Sequence, residues 1–161
     1  MSVTTDMVAS LRRPRQVMRR HLSIGRREDR VLIYLMASCV MFFLSYLPVV
    51  ARNAHLTGED MGPQLGSIIL GWLFIAPLAL YVLAFIFGVL MKITPCKAGL
   101  YEVRLALFWS LLASSPFILL NGLTAGFIGP GVELNIVGGL WFAIFLWIFV
   151  GSMSAACTGE Q

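Results

Sequence analysis

The chain has 161 residues, of which 58% are hydrophobic and only 12% are charged. Average proteins carry about 25% charged residues, so this composition excludes a sizeable soluble domain and places the chain in the membrane class. The net charge of +4 is unevenly distributed, because eight of the twelve basic residues are arginines between Arg12 and Arg30. In a membrane protein this asymmetry indicates orientation in the bilayer, and we expect no nucleic-acid partner.

Residues 1–30 predict a basic cytoplasmic arm with a short interfacial helix. Pro14 suits the first turn of that helix, and Gly25 suits its end. Val17, Met18 and Leu22 fall roughly on one side, as expected for a helix that lies on an anionic membrane surface. The candidate lipid-headgroup ligands are Arg12, Arg13, Arg15, Arg19 and Arg20. A plainer interpretation is that the arginines only retain the arm in the cytoplasm.

Four long apolar segments follow, and they predict an all-α transmembrane helical bundle. The segments lie at about 31–50, 65–91, 105–128 and 134–153, which gives a four-helix transmembrane domain over residues 31–155 and a short cytoplasmic tail at 156–161. The second segment has no Asp, Glu, Lys, Arg or His in 27 residues, whereas about 20 such residues match a bilayer. Pro77 near its middle predicts a kink whose freed carbonyl needs a partner on a neighbouring helix or an ordered water.

The third segment is the most polar of the four, and its small residues predict helix packing. Gly122 and Gly126 have the G-x-x-x-G spacing that lets another helix approach closely. A buried Asn is costly unless its amide is hydrogen-bonded, so Asn121 is expected to face another helix. The predicted helix-packing residues are Ser114, Pro116, Asn121, Gly122, Gly126 and Gly139.

The distribution of cations predicts that both termini are cytoplasmic. With the amino terminus inside, the cytoplasmic side holds the arm together with Lys92, Lys97 and Arg104. The opposite side then holds only Arg52, as the positive-inside tendency requires.

The sequence lacks the usual catalytic and phosphate-binding motifs, and every Asp and Glu falls in the arm, a loop or the tail. Three cysteines at irregular spacing predict neither a disulfide framework nor a zinc site. We therefore expect a protein that is not an enzyme, with no catalytic residue, no metal ligand and no cofactor. Glu102 and Arg104 are expected to pair at the level of the headgroups.

Four stretches carry a family resemblance: RRPRQVMRRHL in the arm, LGWLFIAPLALYVLAF in the second segment, YEVRLALFWSLLASSP entering the third and GFIGPG before the fourth. Together, from about Arg12 to Val150, they resemble the bacterial, alphaproteobacterial-type branch of the Yip family of small polytopic membrane proteins. Members of that family often have five spans, whereas four are predicted here. The resemblance supplies no catalytic residue, and we expect a multi-pass protein of the bacterial inner (cytoplasmic) membrane.

The sequence leaves more than one function open. The first is a non-enzymatic accessory, assembly or membrane-organising factor, whose partners are anionic lipid headgroups and other membrane protein subunits or further copies of itself. It includes the case of a subunit that belongs to one larger membrane complex. The alternative is a small transporter or channel for a neutral solute, in which Ser115, Pro116 and Asn121 form a polar pathway.

Overall fold

A computed structural model describes residues 3–58, 60–93 and 98–158. Over these ranges the chain is all α, with six helices: α1 Val3–Arg12, α2 Pro14–Ser23, α3 Glu28–Thr57, α4 Met61–Met91, α5 Leu100–Phe127 and α6 Val132–Cys157. The last four are long and apolar enough to cross a membrane, with mean hydropathies from 1.7 to 2.6. The prediction of an all-α bundle with four spans is confirmed, and the protein is a multi-pass membrane protein.

The spans are longer than the apolar segments alone predicted, because flanking polar residues continue the helices. α3 begins at Glu28, and its first turn carries two carboxylates, which the amino-terminal end of a helix dipole stabilises. It ends at Thr57, where Gly58 adopts a left-handed conformation with a φ of 71°. The predicted domain boundaries after residues 30 and 155 therefore fall inside α3 and α6 rather than between structural units.

α4 contains one irregular turn, which lies directly before its proline. The helix is π-helical over Leu70–Ile75, and the N–H of Ala76 bonds to the carbonyl of Gly71, five residues earlier. Pro77 has no N–H to donate to the preceding turn, and π-helical turns accommodate such breaks in hydrogen-bond register. The disturbance that Pro77 predicts is therefore found as a change of register within α4.

α5 is the central helix of the bundle. Its first half is almost entirely buried, and Phe108 and Trp109 are among its fully buried side chains. α3 and α6 are its main neighbours. α4 instead presents large apolar side chains such as Phe74 and Leu78 to the outside, where a bilayer would surround them.

The close approach between α5 and α3 depends on two glycines. A Cβ at Gly122 would overlap the backbone of Ser45, and a Cβ at Gly126 would overlap Pro48. The G-x-x-x-G spacing is thus used for packing within one chain, and a larger residue at either position would push the two helices apart.

Ion pairs join different segments of the chain at the end of the bundle where α3 and α5 begin. Arg104 contacts Glu28 with a nitrogen–oxygen distance of 2.5 Å, and Arg26 lies 3.3 Å from Glu102. The expected pair between Glu102 and Arg104 is therefore replaced by two longer-range pairs, since residues two apart on a helix do not face each other.

Cys39 and Cys157 differ in whether they form a disulfide bond. Cys39 is a buried free thiol in α3, in agreement with its apolar surroundings. Cys157, the last residue of α6, is disulfide-bonded. The irregular spacing of cysteines along the sequence did not predict that bond.

Candidate functional site

The amino-terminal arm folds into a pair of helices that pack on the bundle. The chain turns at Arg13, whose φ of −140° is not helical, and Pro14 opens α2 where its missing N–H needs no partner. Val17 and Met18 are at most 1% exposed, so the apolar side of α2 faces protein. The predicted interfacial helix is therefore docked on the spans, and it is preceded by α1, which the sequence did not predict.

Ser10, near the end of α1, reaches the central helix. The indole Nε1 of Trp109 donates a hydrogen bond to the Ser10 hydroxyl at 3.0 Å. The same hydroxyl donates a hydrogen bond to the carbonyl of Asp6 at 2.7 Å, so it acts both as an acceptor and as a donor. Because Ser10 and Trp109 are both buried, this bond fixes the arm to the core of the bundle.

His21 of α2 packs beside the same tryptophan. Its ring centre lies 4.4 Å from that of Trp109, and its Nδ1 lies 3.4 Å from the hydroxyl of Tyr34. Burial lowers the pKa of His21 from 6.5 to about 4, although the nearby Asp6 carboxylate acts in the opposite direction. His21 is therefore neutral at pH 7, and its buried Nε2 has no hydrogen-bond partner among the described residues.

An ion pair joins the two helices of the arm. Nη1 of Arg20 lies 2.9 Å from Oδ1 of Asp6, and the Asp6 side chain is largely buried. Arg20, one of the predicted headgroup ligands, is thus engaged within the arm itself.

The beginning of α2 forms a groove against α6. Pro14 packs on Gly151, where an added Cβ would come within 2.5 Å of the proline ring. A cavity of about 410 Å³ lies beside this contact, lined by Arg12, Arg13, Pro14, Arg15, Gln16, Trp147, Val150 and Gly151. Trp147 is 62% exposed, so the groove is continuous with the outer surface of a span.

Three of the five predicted headgroup ligands line this groove: Arg12, Arg13 and Arg15. They are exposed, and none of them has an acidic partner within the described ranges. Guanidinium groups bind phosphate oxygens in a bidentate manner, and an indole at the membrane interface packs against the apolar part of a lipid. Arg19 is also exposed on α2 but does not line the groove.

The predicted helix-packing residues divide into two groups. Asn121 donates from Nδ2 to the carbonyl of Leu134 on α6 at 3.1 Å, beside the close contacts of Gly122 and Gly126 with α3 described above. Ser114 is buried, and its hydroxyl donates to a carbonyl of its own helix. Pro116 is exposed, and a Cβ at Gly139 would meet nothing within 4 Å, so these two positions lie on the outside of the bundle.

A second cavity, of about 390 Å³, lies in the half of the bundle away from the arm. Its lining includes Phe42, Tyr46, Trp72, Asn121, Ala125 and Trp141. Of these six residues, only Asn121 was given a packing or transport role by the sequence; Gly122, another predicted packing residue, also lines the cavity. The aromatic residues come from α3, α4 and α6, and no spacing along the chain indicates that they meet.

Comparison of the chain with protein-family models, with curated proteins and with solved structures gives no match. The resemblance to the Yip family therefore stays a prediction. What is established is a multi-pass membrane protein, and any function is argued from the geometry of its sites.

Proposed function

We propose that the protein is a non-enzymatic accessory or assembly factor of the bacterial inner membrane that holds anionic lipid headgroups against its docked arm. The observation that carries this proposal is the groove between α2 and α6. It combines the three arginines Arg12, Arg13 and Arg15 with the exposed ring of Trp147. When the phosphate group of a lipid binds the arginines, its acyl chains would lie along the indole ring of Trp147, as their place in a bilayer requires.

The docking of the arm supports a specific site over a diffuse basic segment. Pro14 and its neighbouring arginines are held in place by the contact with Gly151 and by the buried Val17 and Met18. Each arginine near an anionic surface contributes about 1 kcal/mol of attraction. Three of them would therefore favour an anionic over a zwitterionic lipid by about 3 kcal/mol, roughly a hundredfold.

Native mass spectrometry of the purified protein in a mild detergent tests the proposal. Phosphatidylglycerol and phosphatidylcholine with the same acyl chains compete for the protein, and the occupancy of each is measured. The wild type is expected to retain phosphatidylglycerol strongly, and the triple variant Arg12→Gln, Arg13→Gln, Arg15→Gln is expected to lose most of that preference.

A control with the same loss of charge separates a site from general attraction. The triple variant Arg27→Gln, Arg30→Gln, Lys92→Gln also removes three cations, none of which lines the groove. It should keep the preference for phosphatidylglycerol. Equal losses in the two triple variants, or no preference in the wild type, would refute a headgroup site at the groove.

The accessory role predicts that the protein binds other membrane subunits, and this is tested on a native gel. Solubilised in mild detergent from its native membrane, the protein should migrate on a native gel in a complex with other membrane subunits. The exposed apolar side chains of α4 are the candidate contact surface. Migration as a single chain or only as a homo-oligomer would contradict the role of subunit in a larger complex.

The second candidate function is transport of a neutral solute, supported by the cavity beside Asn121. Reconstituted protein would then carry a small neutral solute such as glycerol into liposomes. Asn121→Leu should abolish that flux if the cavity lies on the path, whereas liposomes that show no flux with the wild type would contradict transport of that solute.

A further inference from the structure

A further cavity, of about 460 Å³, lies where the arm meets the beginning of α3. Its lining carries charges of both signs, the cations Arg20, Arg27 and Arg30 and the anions Asp6 and Asp29. The end of α2 forms this cavity together with α1 and α3, whereas the headgroup groove lies at the beginning of α2. The two sites share no residue, and we call this one the mixed-charge pocket.

Two of the five charges in the mixed-charge pocket neutralise each other, because Arg20 and Asp6 form the ion pair that joins the two helices of the arm. No ion pair among the described residues includes Arg27, Asp29 or Arg30. Arg27 and Asp29 are exposed and Arg30 is half-buried, so a molecule that enters the pocket can contact them. The pocket therefore offers two guanidinium groups and one carboxylate to an occupant.

The mixed-charge pocket is continuous with an exposed apolar stripe of α3. Ile33 lines the pocket and is 62% exposed. Val40 and Leu44 are also exposed, and their positions along the helix place them on the same face as Ile33. Since α3 is long and apolar enough to span a membrane, a lipid with its headgroup in the pocket can extend its acyl chains along this stripe.

We propose that the mixed-charge pocket binds a membrane phospholipid whose headgroup carries a phosphate and a primary ammonium, the chemistry of phosphatidylethanolamine. The phosphate oxygens would accept hydrogen bonds from the guanidinium groups of Arg27 and Arg30. The ammonium would donate a hydrogen bond to the carboxylate of Asp29. This lipid and these residues differ from those of the headgroup groove, so either proposal can fail without the other.

Other occupants match the charges of the mixed-charge pocket less completely. Phosphatidylglycerol would place its phosphate at the arginines but would leave the Asp29 carboxylate without a cation. Phosphatidylcholine has a cation that lacks N–H groups, so it cannot donate a hydrogen bond to Asp29. A free phosphate ion would contact only the arginines and would leave the apolar stripe that begins at Ile33 uncovered.

Native mass spectrometry of the full chain in a mild detergent tests the proposal. Phosphatidylethanolamine competes with phosphatidylcholine of the same acyl chains, and the two lipids differ only in the methyl groups that replace the ammonium hydrogens. We expect the wild type to retain phosphatidylethanolamine about tenfold more strongly, as one hydrogen bond between charged groups allows. Glycerophosphoethanolamine, the same headgroup without acyl chains, should not displace the bound lipid at equal concentration.

Three variants assign that preference to the mixed-charge pocket. Asp29→Asn removes the carboxylate, so it should abolish most of the preference without weakening phosphatidylcholine. The double variant Arg27→Gln, Arg30→Gln removes the phosphate contacts and should weaken both lipids. Asp60→Asn is the matched control, because it removes an exposed carboxylate outside the lining and should leave the preference unchanged. Thermal unfolding without added lipid shows that each variant is folded.

The groove variant Arg12→Gln, Arg13→Gln, Arg15→Gln separates this proposal from that of the headgroup groove. It leaves the mixed-charge pocket intact and should keep the preference for phosphatidylethanolamine over phosphatidylcholine. Loss of the preference in this variant would assign the lipid to the groove and refute the pocket.

Each remaining outcome overturns a defined part of the proposal. Equal retention of the two lipids by the wild type would refute recognition of the ammonium. Equal losses of preference in Asp29→Asn and Asp60→Asn would show a general effect of negative charge. Unchanged binding of both lipids in the Arg27, Arg30 double variant would refute the phosphate contacts. Displacement of the lipid by glycerophosphoethanolamine would show that the pocket binds the headgroup alone and not a membrane lipid.

Discussion

The indole nitrogen of Trp109 donates a hydrogen bond to the Ser10 hydroxyl at 3.0 Å, across 99 positions of the chain. Trp109 belongs to the central helix, and Ser10 belongs to the first helix of the arm. Both side chains are 0% exposed. The arm is therefore an integral part of the packed bundle, and its arginines are presented from a fixed position.

Replacing Ser10 with Ala should loosen the arm. The variant leaves the Trp109 N–H buried without its acceptor, which costs about 1–3 kcal/mol. Trypsin should then cleave the arginines of the arm at least about fivefold faster in detergent, since cleavage follows the population of undocked arm. Ser23→Ala is the control, because Ser23 is an exposed serine whose hydroxyl donates to the Arg20 carbonyl of its own helix. Equal cleavage rates in the two variants would contradict the anchoring role of Ser10.

Acidification should weaken the docking of the arm through His21. Its pKa is about 4 when docked and near 6.5 when free, so the undocked arm binds more protons between these values. The stability of docking is fully present above about pH 6.5 and declines by about 3 kcal/mol as the pH falls towards 4.

Tryptophan fluorescence between pH 7.5 and 4.5 measures this effect, because Trp109 reports on the arm that covers it. The fluorescence change should be lost in His21→Gln and retained in His55→Gln, which alters the exposed histidine on α3. An unchanged pH profile in His21→Gln would show that another group is responsible.

Gly122→Ala should destabilise the bundle, whereas Gly139→Ala should not. A methyl group at residue 122 would overlap the backbone of Ser45, which can move only if α3 and α5 separate. Overpacking of this kind costs about 1–3 kcal/mol and should lower the melting temperature by several degrees. Gly139 faces open space, so its variant is the matched control. Similar melting temperatures would show that the α3–α5 contact is looser than the structure describes.

The sequence predicted those features of the fold that are visible within a single helical segment. Four apolar runs of bilayer length were sufficient for the spans, and Gly122 with Gly126 indicated a close helix contact. α1 was missed because its polar residues, such as Asp6 and Ser10, are typical of an exposed arm. Its partly buried Met7 and Leu11 are four residues apart, but one such pair in ten residues is too weak a pattern to indicate docking.

The groove and the aromatic cavity could be predicted only in part. The headgroup arginines were visible as a charge cluster, yet the pairing of Arg20 with Asp6 depends on the turn between α1 and α2. The cavity joins Phe42, Trp72 and Trp141 from three helices. In spans that are apolar on every side, periodicity does not reveal which aromatic residues face inward.

The cationic residues predict a definite topology, and that topology decides which leaflet the groove contacts. With the arm inside, the turns at Gly58 and Gly129 lie outside and the end of α6 lies in the cytoplasm. Green fluorescent protein fused to the carboxyl terminus should therefore fluoresce, and alkaline phosphatase inserted after Gly129 should be active. Alkaline phosphatase fused to the carboxyl terminus is the control and should be inactive. The reverse pattern would move Arg12, Arg13 and Arg15 away from the anionic cytoplasmic leaflet and would remove the electrostatic basis of the headgroup proposal.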